Sequence, residues 1–92
     1  MHTQDTPIYL KAITLRNLRD IASIKDDAKN HMILILRVTP LAQKDVLELR
    51  KAMEDLYHHV QSLGGDIARL GEERVVIMPP AVKIWRGTSE LS

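Results

Sequence analysis

The apolar positions change their spacing along the chain, and each spacing predicts a type of element. Ile8–Ile13 alternates loosely after a proline, as strands do. Asn17–Lys29 has apolar residues at helical spacing, with Asn17 as a candidate cap, and this predicts a helix. Met32–Leu36 is apolar throughout, which is typical of a strand that lies inside a sheet with both faces buried.

The longest predicted helix follows Thr39-Pro40 and covers Gln43–Leu63. Its apolar residues are separated alternately by three and four positions, and this stripe comprises Val46, Leu49, Met53, Leu56, Val60 and Leu63. The stripe is shorter than the three or four heptads on which a coiled-coil prediction depends, so packing against a sheet is favoured.

Three of the four glycines lie in the segment LGGDIARLGEER. Phosphate-binding loops place their glycines between a strand and a helix, whereas Gly64 and Gly65 follow a predicted helix. We therefore expect an architectural role, in which one of these two glycines takes the left-handed conformation that ends the helix.

The remaining segments predict strands. Asp66–Leu70 and Arg74–Met78 form a hairpin whose connection contains Gly71. Pro79 ends the second of these strands, and Val82–Trp85 predicts a last strand at the edge of the sheet.

The predicted order is β-α-β-α-β-β-β, an α/β (α+β) two-layer sandwich in which two helices cover one face of an about five-stranded sheet. Helix-linked strands are expected to pair in parallel. Because the inner strands are apolar on both faces, the second face also needs a cover, and a second copy of the chain would supply it. We therefore expect a homodimer. Residues 8–86 would form this core domain, between a disordered segment, 1–7, and a flexible tail, 87–92.

The composition excludes several classes of function. The 92 residues carry a formal net charge of +1, which argues against a general nucleic-acid binder. Cysteine is absent, so the chain has no disulfide framework, zinc–cysteine site or thiol nucleophile. No apolar run approaches the roughly 18 residues that a membrane-spanning helix needs.

The residues that could carry out chemistry do not converge. His58 and His59 are neighbours on the long helix, so their side chains diverge by about 100° and cannot chelate one metal ion together. Glu54 with His58, and Asp55 with His59, are spaced for joint ligation, but no further ligand is evident. No serine lies in the G-x-S-x-G setting of a hydrolase. We therefore expect no catalytic site, no metal site and no cofactor.

Basic residues are spread over the last three predicted strands, beside apolar ones. They could form a groove for a short peptide that is part apolar and part acidic, or they could be ordinary surface charges on a sheet rim. The residues concerned are Arg69, Arg74, Lys83 and Arg86, with Leu70, Val75 and Ile77 beside them. These features indicate a homodimeric interaction module, and a homodimeric small-molecule-sensing regulatory domain is the alternative.

The stretch LGGDIARLGEERVVIMPPAVKIW, Leu63–Trp85, resembles the C-terminal half of the SepF family of cell-division proteins in its archaeal form. The similarity extends back through LILRVTPLAQKD, Leu34–Asp45, and the long helix, and it covers residues 9–86. The specific feature is a helix followed by Gly-Gly-Asp-Ile, then a glycine, then an apolar strand that ends in proline.

The resemblance implies a role as well as a fold. Members of the family have a compact core of two helices on a five-stranded sheet, form dimers, and bind the C-terminal tail peptide of the tubulin-like protein FtsZ. A separate N-terminal amphipathic helix holds them on the membrane, so that they tether the division ring during septum formation. The implied location is the cytoplasm, at the division site on the inner face of the membrane. No enzymatic activity or cofactor is implied.

The chain departs from the family pattern in two places. Residues 1–7, MHTQDTP, are too short and too polar for the membrane helix, so we expect a truncated core that does not bind lipid vesicles by itself. Bacterial members have a glycine six residues before the Gly-Gly pair, where helices of neighbouring subunits approach closely, and here that position is His58. We therefore expect discrete dimers rather than rings or filaments.

The resemblance also suggests a peptide site. In bacterial relatives a basic residue after the Gly-Gly segment and an aromatic residue on the next strand contact the FtsZ tail. With Pro79 as the reference, these positions are Arg69 and Val75, so the charge is kept and the aromatic ring is not. We expect Arg69 to pair with an acidic group of the tail. We expect Val75, with Leu70 or Ile77 beside it, to receive an apolar side chain.

Overall fold

The computed structural model describes residues 7–82 and residue 85, and these form four strands and three helices. In chain order the elements are β1 Leu10–Thr14, α1 Asp20–Lys29, β2 Ile33–Arg37, α2 Thr39–Lys44, α3 Val46–Ser62, β3 Asp66–Leu70 and β4 Arg74–Met78. The bounds of β3 and β4 are those predicted from the sequence. The predicted terminal segments, 1–7 and 87–92, lie outside the described residues except for Pro7.

The strands form one mixed sheet with the order β1-β2-β4-β3. β1 and β2 are parallel and are connected through α1, as predicted for helix-linked strands. β2 and β3 also run in the same direction, but the expected pairing between them is wrong, because β4 lies between them and pairs antiparallel with both. The residues Val75–Met78 of β4 are all buried, which is typical of a strand that lies inside a sheet.

The register divides the side chains of the sheet between two faces. Leu34 lies opposite Ile77, and Leu36 lies opposite Val75, so these four side chains share one face. The helices pack on this face. The buried residues that α1 and α3 contribute to the core are Ile21, Ile24, Ala28, Ala52, Leu56 and Val60.

The second face of the sheet is apolar as well. Val76 is buried on it, and Ile35 lies half-buried opposite Val76. At the β1 edge, Leu10 lies opposite Ile33 and is 61% exposed. This edge therefore leaves apolar surface in contact with solvent.

The predicted fifth strand, Val82–Trp85, is not part of the described sheet. Lys83 and Ile84 lie outside the described residues. The Val82 amide donates a hydrogen bond to the Pro79 carbonyl oxygen at 3.0 Å, which turns the chain just after β4. The described sheet accordingly has four strands and not five.

A short helix that was not predicted precedes the long one. α2 begins at Thr39, with Pro40 in its first turn, where the missing amide proton of proline breaks no hydrogen bond. The backbone of Asp45 is then extended, and its Oδ1 accepts hydrogen bonds from two amides of the next turn at 3.0 and 3.1 Å. The long helix therefore begins at Val46 instead of Gln43, because Asp45 is its N-cap.

The start of α1 also differs from the prediction. The Asp20 carboxylate accepts hydrogen bonds from the amides of Arg16 and Asn17 at 2.8 and 3.2 Å. The side-chain oxygen of Asn17 accepts from the Arg19 amide at 2.9 Å. Asn17 thus organises the turn before the helix, and the helix itself begins at Asp20.

Two glycines connect α3 to β3 in a tight turn. Gly64 has a φ of +79°, in the left-handed region that glycine adopts without strain. The Gly65 amide donates to the Val60 carbonyl oxygen at 3.0 Å. A Cβ atom on Gly65 would collide with the carbonyl oxygen of Met78. The first glycine therefore turns the chain, and the second lets the turn approach β4 closely.

Gly71, in the β3–β4 hairpin, also has a positive φ, +73°.

Candidate functional site

A cleft of about 550 Å³ lies between α3 and the β3–β4 hairpin, and we call it the α3–β3 cleft. The wall formed by α3 contains Val46, Leu49, Arg50, Met53, Glu54, Tyr57 and His58. The opposite wall and the floor contain Val38, Ile67, Ala68, Arg69 and Val75. Most of these side chains are apolar, so the cleft suits an apolar or amphipathic ligand.

The helical wall of the cleft is a second stripe beside the one that packs in the core. Its residues recur every three or four positions, so they lie along one side of α3. Leu56 and Val60 of the core stripe are buried, whereas Val46 is 60% exposed. The single stripe predicted from the sequence contained all three residues, and the structure divides it between two environments.

Tyr57 gives the cleft an exposed aromatic surface. It is 48% exposed, and its ring packs edge-on against His58 with the ring centroids 5.9 Å apart. Tyrosine combines a large apolar ring with a polar hydroxyl, and it is enriched at protein interfaces. The cleft therefore offers apolar contact area that the core of the chain does not use.

Two arginines give the cleft a positive charge. Arg50 lies on the helical wall and Arg69 on the strand wall. Glu54, also on the helical wall, is the carboxylate that lines the cleft. Within residues 7–82, the ion pairs are Lys11–Asp27 and Lys25–Asp55, so neither arginine has a carboxylate partner there. Arg69 makes one long hydrogen bond, 3.5 Å, to a backbone carbonyl oxygen of the hairpin. Both guanidinium groups are thus available to an acidic ligand.

The structure brings together two of the four residues predicted for the peptide site. Arg69 and Val75 are register partners in β3 and β4, and both line the cleft. Val75 is 3% exposed, so it belongs to the floor and not to the rim. Leu70 is half-exposed on the second face of the sheet, and Ile77 is 1% exposed in the core under the helices. Neither of these two lines the cleft.

The other basic residues predicted for the groove do not join Arg69. Arg74 lies on the second face of the sheet, opposite Arg37 of β2. Lys83 and Arg86 lie outside the described residues. The cation that accompanies Arg69 in the cleft is Arg50, which comes from the helix and was not predicted from the sequence.

The site residues that the sequence did not indicate lie on α3, because the sequence pattern of this helix gives only weak evidence of a binding site. Val46 belonged to the predicted core stripe, and Tyr57 directly follows Leu56 of that stripe. Arg50 resembled any charged residue on a helix surface. The informative pattern was the set of apolar residues on α3, which is wider than one core-facing stripe needs.

The two histidine–carboxylate pairs of α3 lie in different environments. Glu54 and His58, which are spaced for joint ligation, both line the cleft. Asp55 pairs instead with Lys25 of α1, with 2.8 Å between Oδ1 and Nζ. The Nε2 atom of His59 is buried and has no hydrogen-bond partner in the described structure. Across residues 7–82 and 85, no three His, Asp or Glu side chains are grouped to hold a metal ion.

No helix in the described part of the chain combines the length and the hydropathy that crossing a bilayer requires.

Comparison with known proteins connects this fold to one family. The sequence model of the family "Cell division protein SepF" matches residues 10–84. Among solved structures, the chain is similar to a SepF-like protein from Pyrococcus furiosus, with 32% sequence identity and a TM-score of 0.79, over 90% of this chain and 100% of that chain. It is also similar to a SepF-like protein from Archaeoglobus fulgidus, with 25% identity and a TM-score of 0.81, over 88% of this chain and 96% of that chain. No match was found among curated proteins.

The family match and the structural matches cover most of the chain, including the helix, the Gly-Gly turn and the hairpin. They confirm the resemblance found in the stretch Leu63–Trp85. They also agree with a mixed sheet that carries its helices on one face. The chain belongs to the SepF family of cell-division proteins, as an archaeal-type core domain.

Proposed function

We propose that this core binds the C-terminal tail of FtsZ in the α3–β3 cleft and, in the full-length protein, tethers the FtsZ ring to the membrane. The observation that supports this most is the pairing of Arg69 and Val75 across β3 and β4. These are the two positions that the family resemblance assigns to tail binding, and they lie side by side on the strand wall and the floor of an open apolar cleft.

The dimensions of the cleft support a peptide as the ligand. Its helical wall runs along α3 from Val46 to His58, which is about 18 Å. An extended peptide of about five residues spans the same length. Helix-lined apolar grooves with basic residues bind segments that are part apolar and part acidic. The alternative, a small-molecule sensor, is less favoured because the family to which the chain belongs acts in cell division.

The proposal is tested by comparing two tyrosines. Tyr57→Ala removes the exposed ring of the cleft, and we expect the affinity for the FtsZ tail peptide to fall at least about tenfold, because buried interface tyrosines commonly contribute about 1.4 kcal/mol or more. Tyr9→Ala removes an equally large ring that is 64% exposed near β1, outside the cleft, and serves as the matched control. Titration calorimetry measures both. Equal affinities of the two variants would place the tail elsewhere.

A pull-down separates the tail from the rest of FtsZ. The core should retain FtsZ that has its tail and should not retain FtsZ from which the tail has been deleted. Retention of the truncated FtsZ would contradict the proposal.

We also propose that the core acts as a homodimer that uses the second face of its sheet. Leu10 and Ile33 provide apolar surface at the β1 edge of that face, and Leu70 is half-exposed at its other edge. Sedimentation velocity should give a dimer at low micromolar concentration, and a stable monomer there would contradict this proposal. His58 is exposed on α3, in the place where bacterial relatives have a glycine, so electron micrographs should contain discrete particles instead of rings.

Attachment to the membrane is the third part of the proposal. The family attaches through an amphipathic helix. When such a helix is fused to the N-terminus of the chain, the core should carry FtsZ into the pellet with anionic lipid vesicles at physiological salt.

A further inference from the structure

The α3–β3 cleft has one arginine on each wall, and this arrangement restricts what can bind. Arg50 and Arg69 face the same apolar space, and neither has an ion-pair partner within residues 7–82. We propose that the two arginines act as a two-point clamp, so that the cleft selects an apolar segment with two carboxylates. This inference rests on the proposed function and specifies the chemistry of the tail that the cleft accepts.

The positions of the charges along the cleft follow from the turn that joins its walls. Residues 63–65 separate α3 from β3, so the end of the helix lies beside the start of the strand. Arg69 is then about 10 Å along β3 from its first residue. Glu54 and Arg50 are about 12 Å and about 18 Å back along the helix from Ser62. Glu54 is therefore nearly level with Arg69, and Arg50 lies one helical turn beyond.

The spacing of the two cations sets the spacing of their ligands. The cations differ in level by about 8 Å, which flexible arginine side chains can shorten. Residues i and i+2 of an extended peptide are about 6.6 Å apart on one side, and residues i and i+4 of a helix are about 6 Å apart. Two acidic residues at either spacing would reach both arginines, while their apolar neighbours contact Met53 and Tyr57.

Glu54 opposes the clamp. It lies four residues after Arg50 on the same side of α3, and it lines the cleft together with both arginines. Its carboxylate repels an acidic ligand that enters this space. Removal of this charge should therefore tighten the binding of an acidic peptide and should not affect a neutral one.

The test removes each charge with a matched control. Titrations use the chain of residues 1–92 and the tail peptide of its cognate FtsZ at about 0.05 M salt, where the Debye length is roughly 14 Å. Arg50→Gln should weaken binding about threefold to fivefold, which is the upper part of the range for exposed ion pairs. Lys51→Gln removes the same charge from the next residue, which lines a different cleft between α1 and α3, and it should change affinity by less than about 1.5-fold.

The carboxylate is tested in the opposite direction. Glu54→Gln should strengthen binding about twofold, whereas Asp26→Asn, which removes an exposed carboxylate from α1, should leave it within about 1.5-fold. Replacing each acidic residue of the peptide by its amide shows which carboxylate couples to which arginine. The loss caused by Arg50→Gln should disappear with one of these amide peptides, and the loss caused by Arg69→Gln should disappear with another.

The outcomes distinguish this inference from the proposed function. If Tyr57→Ala weakens binding but Arg50→Gln behaves like Lys51→Gln, the tail binds in the cleft and the two-point clamp is wrong. If one amide substitution in the peptide removes both arginine effects, the clamp is also wrong. If the unaltered chain does not bind the tail peptide, the proposed function itself fails.

Discussion

Helix α3 carries two stripes of residues that recur every three or four positions. One stripe is buried in the core, and the other lines the α3–β3 cleft. The core stripe, represented by Ala52, Leu56 and Val60, is buried against the sheet and α1. In the cleft stripe, Val46 and Tyr57 are exposed, whereas Leu49 and Met53 pack partly against the core. A helix that only completes a core needs one stripe of about 100°. The exposed apolar surface of Val46 and Tyr57 exceeds that need.

The two stripes also differ in charge. The core stripe contains no charged residue, because an unpaired charge loses its hydration when it is buried. The cleft stripe has Arg50 and Glu54 among its apolar residues, and both stay exposed. Charges interspersed with apolar positions on one side of a helix thus indicate a surface that is partly wet and can recognise a charged partner.

The largest effect should come from truncating a residue of the core stripe, and it should be a loss of stability. Leu56 is fully buried, and Leu56→Ala should lower the free energy of unfolding by about 3 kcal/mol through lost burial and a residual cavity. Leu47, 64% exposed on the same helix, provides the control, since Leu47→Ala should change stability by less than about 0.5 kcal/mol. Urea denaturation followed by circular dichroism measures both. A loss below about 1 kcal/mol for Leu56→Ala would mean that the core stripe is not the main anchor of α3.

The cleft stripe should respond in binding and not in stability. Val46→Asp places a carboxylate at the mouth of the cleft, and we expect about tenfold weaker binding of the FtsZ tail peptide, or about 1.4 kcal/mol. Leu47→Asp is the matched control, because Leu47 is similarly exposed and does not line the cleft. An acidic residue in the first turn of a helix is favourable, so both variants should keep the stability of the unaltered chain. Equal losses of affinity would show that the two positions are equivalent and that the cleft is not the site.

The smallest effect on stability should come from replacing Asp45, the N-cap at which α3 begins. Asp45→Ala removes the side-chain acceptor for two amides of α3 and should cost about 1 kcal/mol of stability. Asp45→Asn keeps an acceptor oxygen and should recover most of this loss. Thermal unfolding measures the difference. If Asp45→Asn were as unstable as Asp45→Ala, the hydrogen bonds of the cap would not explain the separation of α2 from α3.

Local patterns predicted much of the fold. The hairpin Asp66–Leu70 and Arg74–Met78 has its predicted bounds, because Gly65 and Gly71 flank the first strand and Pro79 follows the second. The helix α2 was missed because Thr39-Pro40 is equally typical of the end of a strand and of the first turn of a helix. Asp45 was read as a helix residue, although an aspartate followed three positions later by a glutamate, here Glu48, is a spacing typical of a helix N-terminus.

The candidate site was predictable on one wall only. The family pattern indicated Arg69 and Val75, and strand pairing places them side by side. Leu70 was included because it is next to Arg69 in the chain, although adjacent strand residues point to opposite faces. Ile77 has the same face as Val75, but it lies farther along β4, under the helices. Arg50 and Tyr57 come from a separate element, so their proximity to β3 depends on packing.

The sequence by itself determined most of the elements, the turn at the Gly-Gly pair, the apolar character of both sheet faces and the family. These are properties of short segments, where periodicity, backbone restrictions and residue type act over a few positions. Only the tertiary structure decided that β4 lies between β2 and β3, that the apolar stripe of α3 is divided, and that Arg50 and Arg69 share a cleft. Strand order and helix packing depend on contacts between distant residues, and alternation along a strand does not say which face a helix will cover.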